Sequence, residues 1–482
     1  MFKITKRIYA EGAWVASSPL HVGGEEDLLG SADMQLLRTG DGKFTIPGAS
    51  IAGAARSRLA QDFAGDFAAG IGKEPAWMKA LFGGGDAQAG TMSALIVPDA
   101  MPVAAQPQLR DGVAISHDTG QAEEGARYVV ETLPAGISFT IRFELAVYDQ
   151  PASETNERDL ISGFRTLLEL FQKVSDGVWL GAKTRSGFGR GHVANWKVAA
   201  LDMRMKADVR RWLQRGLEQF TFDSTETLAE VLKDVHPHRP ASGPRRLVID
   251  GTFKLKTSIN VRSRCTGNKE PDHIHLTETK AGAGEHYPVP GTSLRGPFRK
   301  RCRKILRTLG WEAKIADELI DRLFGPRLGG GRENNTPRAS RVVFEESVLD
   351  KVELRVQGRV AIDRFTQAAL DSHLFDEAAA WPIDGAENLR LHYAVRDPSD
   401  QEIAVLLLAL KDFCLADLPI GGEAGVGRGV FEAVKVDVSL GERDLTIEKA
   451  KGTSDDMEFW NGFVAKLRSV APKDKACAEV SQ

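Results

Sequence analysis

The sequence predicts an α+β chain in which one ferredoxin-like, RRM-like module is built twice in tandem. Three observations predict it: an alternating strand pattern opens each half, an amphipathic helix lies late in each half, and five short blocks recur in the same order. The 482 residues are too many for one ordinary core and suit two or three domains. With 42% hydrophobic and 27% charged residues, the composition is that of a folded protein and argues against disordered and collagen-like classes. Lys plus Arg total 63 against 66 for Asp plus Glu, so overall charge gives no sign of a polyanionic partner. Only the distribution of charge can carry that argument.

In chain order, Met1 to Arg7 runs without an apolar signal core into the first strand pattern, Ile8 to Ser17. No stretch approaches membrane-spanning length; the longest apolar run, Ile403 to Leu410, fits a buried helix. Four cysteines, Cys265, Cys302, Cys414 and Cys477, are scattered without a CxxC pair, which argues against a disulfide framework and a zinc ribbon. The expectation is a cytoplasmic protein with no membrane partner.

The first recurring block is Ile46-Pro47-Gly48-Ala49-Ser50, matched by Val289-Pro290-Gly291-Thr292-Ser293. Each leads into a helical segment carrying arginines: Arg56 and Arg58 in one, Arg295, Arg299, Lys300, Arg301, Arg303 and Lys304 in the other. Leu81-Phe82-Gly83 and Leu323-Phe324-Gly325 follow at 35 and 34 residues beyond the prolines (82 − 47; 324 − 290). Val113 to Thr119 resembles Val360 to Thr366. Leu160, Phe164, Leu167, Leu168 and Phe171 share one helical face, as do Ile403, Leu406, Leu407 and Leu410. The last block is Gly187-Phe188-Gly189-Arg190-Gly191, matched by Gly425-Val426-Gly427-Arg428-Gly429. Helical patterns at Met203 to Leu217 and Leu228 to Val235, then the linker-like His236 to Pro244, separate the copies. The expected division is a first module over 1–200, a helical segment and linker over 201–245, a second module over 246–440 and a tail over 441–482.

The pattern LHVGG, an aspartate before a hairpin, IPGASIAGAARS and a closing GFGRG resembles the RAMP superfamily of CRISPR proteins. It is most similar to the backbone subunits of type III effector complexes, and the tandem arrangement resembles type III-D subunits. The resemblance implies guide crRNA, target RNA and other effector subunits as partners. It also implies that the glycine loops and the PGxS helix lie against the guide backbone, that a hairpin thumb wedges between bases, and that a loop aspartate cuts target RNA.

On the residues, Ser50 and Ser293 stand where N-caps belong, and a helix so begun presents amides to a phosphate. A bare helix start is the plainer reading of either copy alone. Arg56 and Arg295 are the phosphate candidates, with Arg299 to Lys304 read either as RNA-binding or as a solvated face. Gly187, Gly189, Gly425 and Gly427 allow close backbone approach, with Arg190 and Arg428 beside them; a tight turn is the alternative. By resemblance, Asp33 in Gly30-Ser31-Ala32-Asp33 matches the catalytic aspartate, using Mg2+ or Mn2+ or orienting a 2′-hydroxyl. An Asx-turn is the structural alternative. Asp272 is the second candidate, 18 residues before Pro290 against 14 for Asp33 (290 − 272; 47 − 33), with His273 the competing alignment. By the same resemblance His21 lies near the RNA path, with Asn260 in its place in the second copy. Cys265, His273, His275 and His286 match no standard zinc spacing, so zinc is not expected, while Mg2+ or Mn2+ is what the resemblance implies at the aspartate. The alternatives to a target nuclease are a non-catalytic scaffold of the same complex and a guide-processing endoribonuclease.

Overall fold

The computed structural model describes residues 3–24, 32–64, 73–84, 90, 92–102, 106–116, 121–149, 155–215, 227–240, 245–263, 271–279, 284–326, 338–383, 386–448, 452–453 and 457–469. His117 to Thr119, Cys265 and Cys477, named above, lie outside them. The chain divides into two compact units: Met1–Leu109, Val129–Thr184 and Phe188–Gly243 form one, and Arg110–Tyr128, Arg185–Gly187 and Pro244–Gln482 the other. Among the described residues no helix is long and apolar enough to cross a membrane.

The first copy runs β1 (Ile4–Ala16), α1 (Gly48–Phe63), α2 (Ala76–Phe82), β2 (Leu95–Ile96), β3 (Gln108–Ile115), β4 (Ala122–Thr132), β5 (Ser138–Tyr148), α3 (Glu157–Gln172) and β6 (Gly191–Asp202). Its main sheet has the order β2-β5-β1-β6, and β1 pairs antiparallel with both neighbours. The two-residue period of β1 puts Ile8, Ala10, Trp14 and Ala16 into the core. Gly12 is required there because a Cβ would lie 2.5 Å from Val193 and 2.8 Å from Trp196, at the irregularity in the β1–β6 register. The Asn156 side chain accepts the Asp159 N–H at 2.8 Å and starts α3. The predicted face, Leu160, Phe164, Leu167, Leu168 and Phe171, is buried, with Phe171 and Phe143 centroids 5.4 Å apart. Beyond β6, α4 (Lys206–Arg215) sets Trp212 on the other sheet face, its indole donating to the Tyr9 hydroxyl at 3.1 Å. Burial pushes that phenol up to about 12. A short α5 (Leu228–Val231) follows.

The second copy runs β7 (Arg246–Leu255), β8 (Arg262–Ser263), β9 (His273–His275), β10 (Glu278–Thr279), β11 (Glu285–Val289), α6 (Gly291–Thr308), α7 (Ala313–Phe324), β12 (Val342–Phe344), β13 (Ser347–Leu349), β14 (Val352–Ile362), β15 (Ala369–Pro382), β16 (Leu389–Arg396), α8 (Asp400–Cys414) and β17 (Phe431–Leu440). Its main sheet begins β12-β16-β7-β17, the order of the first copy strand for strand. Two tandem α+β modules are therefore present, each with a long hairpin insertion, β3–β4 and β14–β15. In α8 a capping box joins Ser399 and Glu402, and Glu402 is fully buried against Arg341 and Arg322. The region set aside as a tail continues the fold: β18 (Arg443–Glu448) pairs with β17, β19 (Gly452–Thr453) follows, and α9 (Met457–Ser469) buries Trp460, Phe463 and Leu467 in the second core.

Candidate nucleic-acid interface

Asp33 and Asp272 occupy one local geometry. The Asp33 Oδ2 accepts the Val129 N–H at 2.7 Å, and the Asp272 Oδ2 accepts the Asp376 N–H at 2.8 Å. In each case the next residue pairs in parallel with the partner strand, Met34 with Val130 and His273 with Glu377. Both aspartates are exposed. The four extra residues before Pro290 are thus absorbed elsewhere, and Asp272, not His273, is the counterpart of Asp33. Sequence spacing missed this because a strand register depends on the partner strand, not on distance to a later helix.

The helix starts differ from expectation. Pro47 and Pro290, with φ −58° and −56°, are the N-caps, so Ser50 and Ser293 lie inside α1 and α6 and their side chains cap nothing. In α1 the work is done by a remote carboxylate: Asp99 accepts the Gly48 N–H at 2.7 Å. The amide offered to a phosphate is already taken. Gly83 and Gly325, at φ 73° and 82°, end α2 and α7 where the second block recurs.

The arginines of these helices are internally paired. Arg56 grips Glu74 through two bonds of 2.8 and 2.7 Å. Arg295 donates to the Phe324 carbonyl, and Arg299 donates to the Gly325 carbonyl at 2.7 Å and to Asp321 at 2.5 Å. These cations therefore close the carbonyl end of α7. Burial, with Arg299 beside it, pulls Arg295 down to about 10. Arg301 and Arg303 pair with Asp412 and Asp317, leaving Lys300 and Lys304 as the exposed cations of that run.

The glycine loops align two residues away from their sequence match. Leu180 donates to the Gly189 carbonyl at 2.8 Å and Ile420 to the Gly429 carbonyl at 2.9 Å. Ser17 donates to Arg190, and Lys256 donates to Val430, at 2.8 and 2.9 Å. Gly189 therefore corresponds to Gly429, Gly187 to Gly427 (φ 96° and 87°), and Arg428 to Phe188. Positive φ, which only glycine takes without strain, sets this register; the arginines do not. Both guanidiniums are turned inward instead of toward a phosphate. Arg190 is 6% exposed over the Trp179 ring at 4.3 Å. Arg428, 3% exposed, donates to Glu423 at 2.8 Å, Ser258 at 2.6 Å, Gln357 at 3.0 Å and Glu377 at 3.1 Å. Gly425 and Gly427 leave open space where a side chain would stand.

His21 and Asn260 are true counterparts, since their carbonyls accept Ala182 and Gly422, each at 2.8 Å. Both are buried and brace the strand beneath: the His21 Nδ1 meets the Glu131 carbonyl at 2.8 Å, and Asn260 donates to Glu377 at 2.7 Å. The zinc reading loses His275, whose Nδ1 accepts the Val261 N–H at 3.0 Å. Burial holds that imidazole neutral, its pKa pulled to about 4. Among the described residues, no three or more His, Cys, Asp or Glu side chains are grouped to hold a metal.

The family model of the RAMP superfamily matches residues 15–192 and 252–432, one stretch in each sheet-and-helix module. The chain belongs to the RAMP superfamily. No curated protein matches it. Each RAMP stretch runs from the first strand of its module to the start of the closing strand and so includes that module's aspartate, glycine loop and hairpin.

The two RAMP hairpins carry a feature that sequence reading passed over. Leu109, Val113 and Ile115 on β3, and Val356, Val360 and Ile362 on β14, form the same apolar stripe facing solvent. Alternation of exposed apolar residues on a strand was the available signal. At the tip of β14–β15 the Asp363 carboxylate accepts the Phe365 and Thr366 amides, both at 2.7 Å, and Phe365 is 93% exposed. On the opposite face of β3, Arg110 is buried between Glu278 at 2.6 Å and Glu346 at 3.0 Å. Burial, then Glu278, pushes Glu346 up, while Arg110 pulls it down.

Proposed function

We propose that this RAMP protein is a guide-binding backbone subunit of a type III, III-D-like CRISPR effector complex, which holds crRNA and cuts the paired target RNA at Asp33 and Asp272. The supporting observation is the recurrence of one carboxylate geometry, an exposed aspartate with one oxygen fixed by a main-chain amide, in both modules. A carboxylate is too weak a base to deprotonate a 2′-hydroxyl unaided, so its role is to orient that hydroxyl in line or to recruit a cation. A divalent cation here, Mg2+ or Mn2+, would be held by a single protein carboxylate together with RNA phosphate oxygens and water, a set Mg2+ accepts. When bound, it would neutralise charge on the phosphate; the chain itself contributes the fixed carboxylate.

Base contacts are assigned to the hairpins, whose apolar stripes and the exposed Phe365 offer stacking surface, with exposed Arg364 beside it for phosphate. Arg190 and Arg428 shape their loops rather than carry the guide. Sequence choice belongs to the guide. The test is a reconstituted complex given end-labelled target RNA. Asp33→Ala removes one cut and leaves guide and target retention within about twofold, and EDTA removes both cuts if a cation takes part. Unchanged fragments with Asp33→Ala and Asp272→Ala together would make the protein a scaffold, and cutting of precursor repeat RNA by the isolated chain would make it a guide-processing enzyme.

A further inference from the structure

The loop leading into each glycine turn holds a charged residue in a conformation that favours glycine. Glu423, three residues beyond Ile420, has φ 59° and ψ 33°, and Lys183, three residues beyond Leu180, has φ 57°. Both modules accept strain at this one place to aim a charged side chain. The sign of the charge is reversed between them.

The Glu423 carboxylate accepts from three guanidiniums, Arg262 at 3.0 Å, Arg359 at 2.8 Å and Arg428 at 2.8 Å. Behind it the fully buried Glu377 lies 3.1 Å from Arg428 but 3.7 Å from both Arg262 and Arg359. In the first module all five are different. Gly23 pairs with Leu36 as Arg262 pairs with His275, and Val130 pairs with Met34 as Glu377 pairs with His273. Gly112 stands for Arg359 in the matched Val113 and Val360 blocks, Phe188 for Arg428 and Lys183 for Glu423. Three cations and two anions are exchanged together for a single cation, so one positive charge in excess is kept although no residue is. A charge kept without its residues points to an anion met by both modules.

The two carboxylates of the second module are not equally fixed. Glu377 is held in the interior by Asn260 at 2.7 Å and by Arg428. Glu423 has a side chain 14% exposed and stands among Gly421, Gly422, Gly425 and Gly427, the last two with open space where a side chain would be. With Glu423 swung aside, Arg428 still has Ser258, Gln357 and Glu377. Arg262 and Arg359, 44% and 26% exposed, would keep only their long contacts to Glu377. Their guanidiniums, gripped now by the two oxygens of one carboxylate, are spaced to take two oxygens of a phosphodiester.

We propose that Glu423 is a built-in substitute for an RNA phosphate: it caps Arg262 and Arg359 and swings out on its glycines when the phosphate takes its place. The capped site adjoins the strand that follows Asp272, since Arg262 pairs with His275 and Glu377 with His273. It rests on the proposed function, in that the chain must bind RNA, and it gives the second module a self-occupied phosphate site where the first presents Lys183 directly.

A site that spends most of its time capped binds more weakly by the uncapped fraction, so removing the cap strengthens binding. The full chain is titrated with a labelled, unstructured single-stranded RNA. Glu423→Gln and Glu423→Gly, the second accepting positive φ without strain, should each tighten binding by at least about fivefold. Glu353→Gln removes the same charge from an exposed pair on β14 and should change binding by less than about twofold. Adding Arg262→Gln and Arg359→Gln to Glu423→Gln should abolish the gain. Binding unchanged or weakened in both Glu423 variants, an equal gain from Glu353→Gln, or a gain that survives loss of the two arginines would overturn the proposal and leave the RNA-binding reading standing. Retention of no RNA by the parent and every variant would overturn both.

Discussion

The two modules share a backbone and spend their side chains differently. Where the first has Phe188, the second has Arg428; Leu36 faces His275 across the alignment; His21 faces Asn260. Each replacement keeps the main-chain hydrogen bonds and changes the polarity of the filling: Phe188 is a 7% exposed apolar residue, whereas Arg428 sits in a buried charged network with Glu377 and Glu423. The difference teaches that the RAMP frame is held by backbone register and positive-φ glycines, and that similar letters in a loop need not share a position. Asp33 and Asp272 are the exception in which position and chemistry coincide.

The largest effect tests that coincidence. Asp33→Ala and Asp272→Ala should each lower the rate at one target cut by about 10²- to 10⁴-fold, the range for losing a positioned group in proton transfer, and the double variant should lose both cuts. Single-turnover rates at each fragment position measure it. If only Asp33→Ala has an effect, the shared geometry is insufficient and the modules differ functionally.

Next in size is the contrast between loop arginines. Arg428→Met takes one charged hydrogen bond from the fully buried Glu377, which keeps Asn260, Arg262 and Arg359, and should cost roughly 1.5–3 kcal/mol, whereas Arg190→Met removes a contact over Trp179 and should cost roughly 1 kcal/mol. Urea unfolding read by hydrogen exchange in each module separates them. Equal costs would mean the two arginines do the same job after all.

Acid should distinguish the modules. The folded pKa of His275 lies near 4, below the ordinary 6.5, so the unfolded chain binds the proton first and stability falls as pH drops from about 6.5 to 4. The loss from this group approaches roughly 3 kcal/mol at the bottom of that window. The first module has Leu36 there and no such term. His275→Leu should flatten the second module's acid profile, and an unchanged profile would show that carboxylates set it.

The smallest effects concern helix starts. Asp99→Ala, which uncaps Gly48, should cost about 1 kcal/mol, while Ser50→Ala and Ser293→Ala should cost less than about 0.5 kcal/mol, because neither serine caps its helix. Thermal melts of the three variants decide it, and a larger loss for Ser50 would restore the sequence reading.

Periodicity and repetition by themselves determined the fold class, the duplication, the buried face of α3 and the helices that follow the two Pro-Gly turns, because each is written in short-range spacing. Asp33 was singled out by the resemblance to the RAMP superfamily, through its neighbours in the motif. Only the tertiary structure decided the rest. Asp272 became the partner of Asp33 through a strand register fixed by residues a hundred positions later, Asp376 and Glu377. Arg56 was paired with Glu74, and Arg295, Arg299 and Arg428 were drawn inward by carboxylates and helix ends distant in sequence. An arginine beside a glycine looks the same in a sequence whether it meets a phosphate or a buried glutamate; burial, which makes an unpaired charge too costly to keep, settles which partner it takes.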